Sequence, residues 1–278
     1  MHFQAAIDEF GTATQQAEGW TIVSLADQQA AALIAKAPAL LGRGLEKFHG
    51  KDFTRKSENL FREFLALLKE QCREGAGSFI TCTLNGPTWH DQFTGFAERV
   101  LEQSFLKAGV PLSEADLTMV RKVVPPLFTY LRVASHVGNG HTVAVTLDDS
   151  QLTKQFNTAQ VTVKGKALSL PYLTGMLYRA YRKQMFPSSP EVVRDEIRTA
   201  PDETSPLVQA ADVVGNFSTA YVFRRLGKES KANDLKADIF HDVFGEFGID
   251  GIDHAASIEI DGEDLRLKQP GAYTFAVA

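Results

Sequence analysis

The stretch His141-Thr-Val-Ala-Val-Thr-Leu147 is followed directly by Asp148-Asp149. Its apolar and β-branched residues predict a buried strand that ends at the acidic pair. Phe3 to Ile7 forms a second apolar stretch, and it runs straight into Asp8-Glu9. Helical patterns separate the two stretches. Strands that alternate with helices indicate an α/β fold with a central sheet.

The amino-terminal part predicts a β-β-α-α-β order. Trp20 to Leu25 is a β-branched strand, and the alanine-rich helix after it should stop before Pro38, because proline lacks a backbone N–H. A second helix begins after Thr54, carries an apolar stripe at helical spacing, and ends at Gly75. The stripe consists of Leu60, Phe61, Phe64, Leu65, Leu68 and Cys72. Ser78 to Leu84 is then a strand.

The rest of the chain predicts a helical insertion, further sheet strands and a carboxyl-terminal extension. The predicted elements are helices at 90–108 and 113–135, a hairpin at 160–168, a helix near 171–185, a strand at 191–198, helices at 206–226 and 229–246, and an edge hairpin or extension within 257–278. We expect one α/β domain over 1–228, with the helical insertion near 90–135. The helix and β extension of 229–278 should pack on the same domain.

Composition restricts the class of protein. The chain has 278 residues, 44% of them hydrophobic, which is typical of a globular protein. It contains no apolar run of about 18 residues, so we expect no membrane span, and the absence of a signal-peptide pattern favours the cytoplasm. The formal net charge of −5 means that nucleic-acid binding would need a local basic patch or bridging metal ions.

Asp212 is the most informative acidic residue. It lies in Pro-Leu-Val-Gln-Ala-Ala-Asp212-Val-Val, where a buried, ionised carboxylate is costly unless a metal ion or an arginine compensates it. Gln209, Asp212 and Asn216 fall on one face of the predicted helix. The alternatives are a solvated helix face, or a salt bridge from Asp212 to Arg224, to Arg225 or to another helix.

Asp8 and Asp148 each follow a predicted strand. In open α/β sheets the carboxyl ends of the strands form the ligand-binding edge, so both residues reach that edge if their strands are parallel and adjacent. Taken singly, Asp8-Glu9 also suits the start of a turn, and Asp148-Asp149-Ser150 suits a helix cap. Their joint placement with Asp212 favours a metal site.

Four short motifs occur in order along the chain. They are Ala-Ile-Asp8-Glu9-Phe-Gly, Glu46-Lys-Phe-His49, Leu147-Asp148-Asp149-Ser150 and Ser205-Pro-Leu-Val-Gln209-Ala-Ala-Asp212-Val-Val. Together they resemble, in the same order, motifs of the domain-of-unknown-function 3800 family, over roughly residues 3–226. The first resembles that family's Ile-Asp-Glu-Ser-Gly signature, and the last its closing Leu-Gln-x-Ala-Asp motif.

The resemblance implies a ribonuclease H-like mixed sheet flanked by helices, with carboxylates from the first strand, a later strand and a late helix. The residues it implies as catalytic are Asp8, Glu9, Glu46, His49, Asp148 and Asp212. Those it implies as metal ligands are Asp8, Glu9, Asp148 and Asp212. Carboxylate oxygens suit Mg²⁺ or Mn²⁺, and two such ions about 4 Å apart would support in-line phosphodiester cleavage. His49 would steer water or the leaving group.

Two functions from different classes follow from these patterns. The first is a divalent-metal-dependent nuclease, or a related phosphoryl-transfer hydrolase, that acts on DNA or RNA in defence or mobile-element biology. The second is a non-catalytic interaction module that keeps the fold and uses the acidic residues for structure or partner recognition. The negative net charge keeps the second hypothesis open.

Overall fold

The computed structural model describes residues 1–12, 17–76, 78–85, 141–148, 160–163, 166–169, 197–225, 231–245, 258–261, 264–267 and 273–275. Within these ranges strands alternate with helices, which confirms the predicted α/β class. Apolar residues at a spacing of two form the strands, and apolar residues at helical spacing form the helices that cover them.

The strands of the central sheet are β1 (His2–Thr12), β2 (Ala17–Ala26), β3 (Phe79–Asn85), β4 (Thr142–Asp148), β7 (Ile197–Ala200) and β10 (Tyr273–Phe275). Two separate hairpins are β5 (Gln160–Val163) with β6 (Lys166–Ser169), and β8 (Ile258–Asp261) with β9 (Asp264–Leu267). The strand order in the central sheet is β10-β3-β2-β1-β4-β7.

The sheet is mixed. Strand β1 is antiparallel to β2, where Phe3 pairs with Ala26, and parallel to β4, where Ile7 pairs with Leu147. Strand β7 is parallel to β4. The side chains of β1 from Phe3 to Asp8 are buried apart from Gln4, so both faces of this strand are covered. A strand buried on both faces requires the nearly continuous apolar sequence that the chain provides.

The described helices are α1 (Asp27–Leu41), α2 (Glu58–Glu74), α3 (Pro206–Arg225) and α4 (Lys231–Phe244). They share one core with Ala6, Val23, Leu25 and Ile80, which lie on one face of the sheet. All members of the predicted α2 stripe are buried in this core, as expected. The mixed sheet is therefore flanked by helices.

The predicted end of α1 is wrong, because the helix contains Pro38 and continues to Leu41. A proline removes one helical N–H and leaves the following residues able to form the last turn. That turn is held by the N–H of Gly42, which donates to the carbonyl oxygen of Pro38 at 3.2 Å. Leu40 and Leu41 pack against the core, and this burial favours continuation of the helix.

Several predicted elements lie outside the described residues, namely the helices at 90–108, 113–135 and near 171–185 and the first part of the strand at 191–198. In the carboxyl-terminal part, α4 packs on α3, and β10 pairs with β3 at the edge of the central sheet. No helix in the described ranges is long and apolar enough to cross a membrane.

Candidate functional site at the carboxyl edge of the sheet

Asp8 and Asp148 lie side by side at the edge where β4 ends. The parallel register pairs Ala6 with Thr146 and Ile7 with Leu147, and its next row places Asp8 beside Asp148. Side chains alternate between the faces of a sheet, so both carboxylates share the face of Ala6, which lies in the core that contains α3. Asp8 is 7% exposed and Asp148 is half-buried.

Helix α3 starts at the same edge of the sheet. Ala200 at the end of β7 is paired with Asp148, and only a short 3₁₀ turn, Asp202–Thr204, separates it from Pro206, the first residue of α3. Asp212 therefore lies in the second turn of a helix that begins at the edge of the sheet where Asp148 ends β4. The helix packs mainly over β1 and β2.

Asp212 is 7% exposed, and protein groups compensate its burial. Its Oδ2 lies 2.7 Å from Nδ1 of His49 and accepts a second hydrogen bond from the backbone N–H of Gly50. Its Oδ1 accepts a longer bond of 3.4 Å from Nδ2 of Asn216. A buried carboxylate needs such donors, because burial without them is costly.

These contacts contradict a solvated helix face for Asp212 and a salt bridge from Asp212 to Arg224. The residue is not on a solvated helix face, and its ionic partner is His49. Arg224 pairs with Asp238 on α4 instead. The side chain of Arg225 is outside the described part of the molecule.

His49 is held in one orientation by Asp212. Oδ2 of Asp212 accepts a hydrogen bond from Nδ1 of His49, so Nδ1 carries a proton. Nε2 of His49 has no hydrogen-bond partner among the described residues. The hydrogen bond to Asp212 raises the pKa of His49 above its ordinary value of 6.5, against the opposing effect of burial. The side chain is 23% exposed. An oriented imidazole with one accessible nitrogen can accept or donate a proton at that atom.

The loop that carries His49 is fastened to α3 by its backbone. Gln209 accepts from the N–H of Phe48 at 3.1 Å and donates to the carbonyl oxygen of Asp202 at 2.6 Å. Phe48 is fully buried, and its ring stacks on Phe64 of α2 with centroids 4.1 Å apart. Phe48 is thus anchored by a polar contact of its backbone and an apolar contact of its ring, and these two contacts fix the backbone next to His49.

Gly50 allows the loop to approach the helix closely. A Cβ atom at this position would lie 2.3 Å from Cβ of Asn216 and 2.8 Å from its Nδ2. Contacts under 3.0 Å are not tolerated, so the N–H of Gly50 reaches Asp212 only because the residue has no side chain. The sequence shows this glycine, but the requirement for it arises from the packing of the loop on α3.

Lys47 links the loop to the turn that precedes α3. Its Nζ lies 2.9 Å from Oδ2 of Asp202 and 3.0 Å from Oε1 of Glu203. The hydrogen bond to Asp202 is the main cause of a raised pKa of Lys47. Glu203 has its pKa lowered to about 2, first by its own backbone N–H and then by Asp202 and Lys47. The positive charge of Lys47 on the loop is therefore paired with two negative charges on the turn before α3.

A second lysine lies behind Asn216. Nζ of Lys236 on α4 donates to Oδ1 of Asn216 at 3.3 Å and lies over the rings of Phe53 and Phe217, 5.9 and 5.8 Å from their centroids. Burial lowers the pKa of Lys236, while Asp212 opposes that shift. The aromatic faces stabilise this partly buried cation.

The structure pairs His49 with Asp212, and it places Asp8 and Asp148 on the adjacent parallel strands β1 and β4. Glu46 is exposed and makes no hydrogen bond or ion pair with any described residue, and Glu9 lies in β1 with a side chain outside the described part. Across the described ranges, no three histidine, cysteine, aspartate or glutamate side chains converge closely enough to hold a metal ion.

Comparison with models of known protein families finds none that matches this chain. Comparison with curated proteins finds no significant match either.

Proposed function

We propose that this protein is a divalent-metal-dependent phosphodiester hydrolase, a nuclease that acts on DNA or RNA in defence or mobile-element biology. The observation that carries the proposal is the register of β1 and β4, which sets Asp8 beside Asp148 on the face covered by α3. The first turns of α3 add Asp212 and, through it, His49 at the same edge.

The architecture supports a ribonuclease H-like arrangement of the sheet. The resemblance implies a mixed sheet with acidic residues on the first strand, a later strand and a late helix. Asp8 lies on β1, Asp148 on β4 and Asp212 on α3. Ligands of open α/β sheets bind beyond the carboxyl ends of the strands, and Asp148 is the last residue of β4.

Asp8 and Asp148 fit a site for Mg²⁺ or Mn²⁺. They are neighbouring carboxylates, one buried and one half-buried, and they offer the hard oxygen ligands that these ions prefer. A bound ion would supply Lewis-acid activation of water and neutralise charge at the phosphate.

Asp212 and His49 fit a proton-transfer role beside those carboxylates. Oδ2 of Asp212 already accepts from His49 and from the N–H of Gly50, so this oxygen positions the imidazole. Nε2 of His49 would then exchange a proton with the attacking water or with the leaving oxygen. The raised pKa of His49 favours the protonated ring and hence donation to the leaving oxygen.

The test combines metal binding with cleavage. Mn²⁺ is titrated calorimetrically into the wild type and the Asp8→Asn, Asp148→Asn and Asp238→Asn variants, and each protein is incubated with single- and double-stranded DNA and RNA in Mg²⁺, Mn²⁺ or EDTA. Asp238, an exposed residue of α4, is the control. We expect the first two substitutions to abolish binding and cleavage and the control to retain both. Metal binding that neither substitution affects would refute the proposal.

The second candidate is a non-catalytic interaction module. It is favoured by one observation: His49, Gly50 and Asn216 already satisfy the carboxylate of Asp212, as a purely structural role requires. In that case the His49→Gln variant would lose stability, and the folded wild type would neither bind Mn²⁺ nor cleave any of the nucleic acids.

A further inference from the structure

Arg198 lies on the same face of the sheet as the paired carboxylates. The register of β7 on β4 pairs Arg198 with Thr146, and Nε of Arg198 donates to Oγ1 of Thr146 at 3.0 Å. Thr146 is two residues before Asp148 on β4, so their side chains share a face. Arg198 therefore lies on this face one strand further out, in the row of Ala6 and Thr146, two residues before the row that contains Asp148.

Exposure rises along this face from β1 to β7. Asp8 on β1 is buried, Asp148 on β4 is half-buried, and Arg198 on β7 is exposed. Helix α3 packs extensively on β1 and has few contacts with β4. Of these three charged residues, Arg198 is the most accessible to solvent in the described part of the chain.

The guanidinium of Arg198 is anchored at one atom and available at the others. Nε is engaged by Thr146, whereas neither Nη atom has a hydrogen-bond or ion-pair partner in the described parts of the chain. Anchoring at Nε restricts the rotation of the group, and the remaining forked N–H donors match the geometry of two phosphate oxygens.

We propose that Arg198 binds the non-bridging oxygens of the substrate phosphodiester, and that the nucleic acid enters the site over β7. This inference rests on the proposed nuclease function and assigns a substrate-binding residue to it. Arg198 supplies part of the local positive charge that a chain with a net charge of −5 needs for a polyanionic substrate. Thr146 is a positioning residue, because it acts on the substrate only through Arg198.

The experiment uses Arg198→Gln, Arg198→Lys and Thr146→Val, with Arg73→Gln as the matched control. Arg73 is an exposed arginine in the last turn of α2. KM and kcat are measured with single-stranded DNA and RNA. Binding of the same fluorescein-labelled strands is measured by fluorescence anisotropy in EDTA over a range of salt concentrations, so that affinity is read without cleavage.

We expect Arg198→Gln to weaken binding and raise KM by roughly ten- to a hundredfold, with a smaller change in kcat. The slope of log Kd against log salt should fall by about one, because one phosphate contact is lost. Arg198→Lys should restore part of the affinity, since lysine keeps the charge and loses the fork. Thr146→Val should lie between the wild type and Arg198→Gln. Arg73→Gln should match the wild type.

The outcomes separate this inference from the proposed function. Cleavage by the wild type with KM, Kd and salt slope unchanged in Arg198→Gln would overturn the role of Arg198 and leave the nuclease proposal intact. Binding that depends on Arg198 in a protein that never cleaves would support the phosphate site and refute catalysis. A wild type that neither binds nor cleaves any strand would overturn both.

Discussion

Replacing Gly50 with alanine tests the site most directly. A Cβ at this position would lie 2.3 Å from Cβ of Asn216, an atom that the backbone of α3 holds in place. An ordinary contact begins at 3.4 Å, so the loop must move by about 1 Å. That movement lengthens the hydrogen bond from the N–H of residue 50 to Asp212 and shifts His49, which binds the same oxygen.

Two costs add up in this variant. Overpacking of a tight contact costs roughly 1–3 kcal/mol, and loss of a buried hydrogen bond to a charged group costs about 1.5–3 kcal/mol. Partial relaxation of the loop relieves some of each, so we expect Gly50→Ala to lower the free energy of unfolding by about 2–4 kcal/mol. The backbone of Gly50 has a negative φ, so the effect is one of space rather than of strain in the backbone.

The assay is urea denaturation, read as a change in midpoint at constant m value. Gly42→Ala is the matched control, because a Cβ there meets nothing closer than the carbonyl oxygen of Pro38 at 3.9 Å. Asn216→Gly should recover at least about 1 kcal/mol when combined with Gly50→Ala, relative to the sum of the single changes. Equal stability of Gly50→Ala and Gly42→Ala would refute the close approach of the loop to α3.

Three further predictions concern the same loop. His49 should titrate above its ordinary pKa of 6.5 in NMR spectra, and Asp212→Asn should lower that pKa. Because the folded-state pKa is raised, the stability from this pair is fully present below pH 6.5 and falls as pH rises through the folded-state value; a flat profile would contradict it. Phe48→Ala should cost about 3–5 kcal/mol in denaturant unfolding, since the ring is fully buried. Lys47→Ala should cost less than about 1 kcal/mol, because its pair with Asp202 is partly exposed, and a larger loss in the same assay would show that solvent screens the pair less than expected.

The elements with strong periodicity could be predicted from the sequence. The stripe of α2 and the apolar strands β1 and β4 follow from spacing alone, because burial of one face or both faces dictates residue type locally. The end of α1 could not, since Pro38 penalises a helix by a local rule and the tertiary burial of Leu41 overrides it.

The placement of the acidic residues was predictable where it depends on strand pairing and not where it depends on packing. Asp8 and Asp148 both follow apolar stretches, and the expected parallel pairing of those stretches is observed. The expected end of the first strand before Asp8 is wrong, because β1 continues to Thr12. The sequence also predicts the polar helix face that contains Asp212. The hydrogen-bond partner of Asp212, His49, is 163 residues away in the sequence, so no local pattern indicates the pair. Arg198 escaped notice, because an arginine near the end of a predicted strand has no local signal for function.

The separation of His49 and Asp212 by 163 residues has a consequence for the order in which the chain can fold during synthesis from its amino terminus. Strands β1 to β3 and helices α1 and α2 are made well before α3. Until α3 docks, the N–H groups of the 45–53 loop lack their acceptors on Gln209 and Asp212. When α3 docks, its carboxylate leaves water only if the loop is already in place to receive it. Formation of the loop and docking of α3 are therefore mutually dependent, and a nascent chain that stops before residue 206 lacks the element that orders this half of the site.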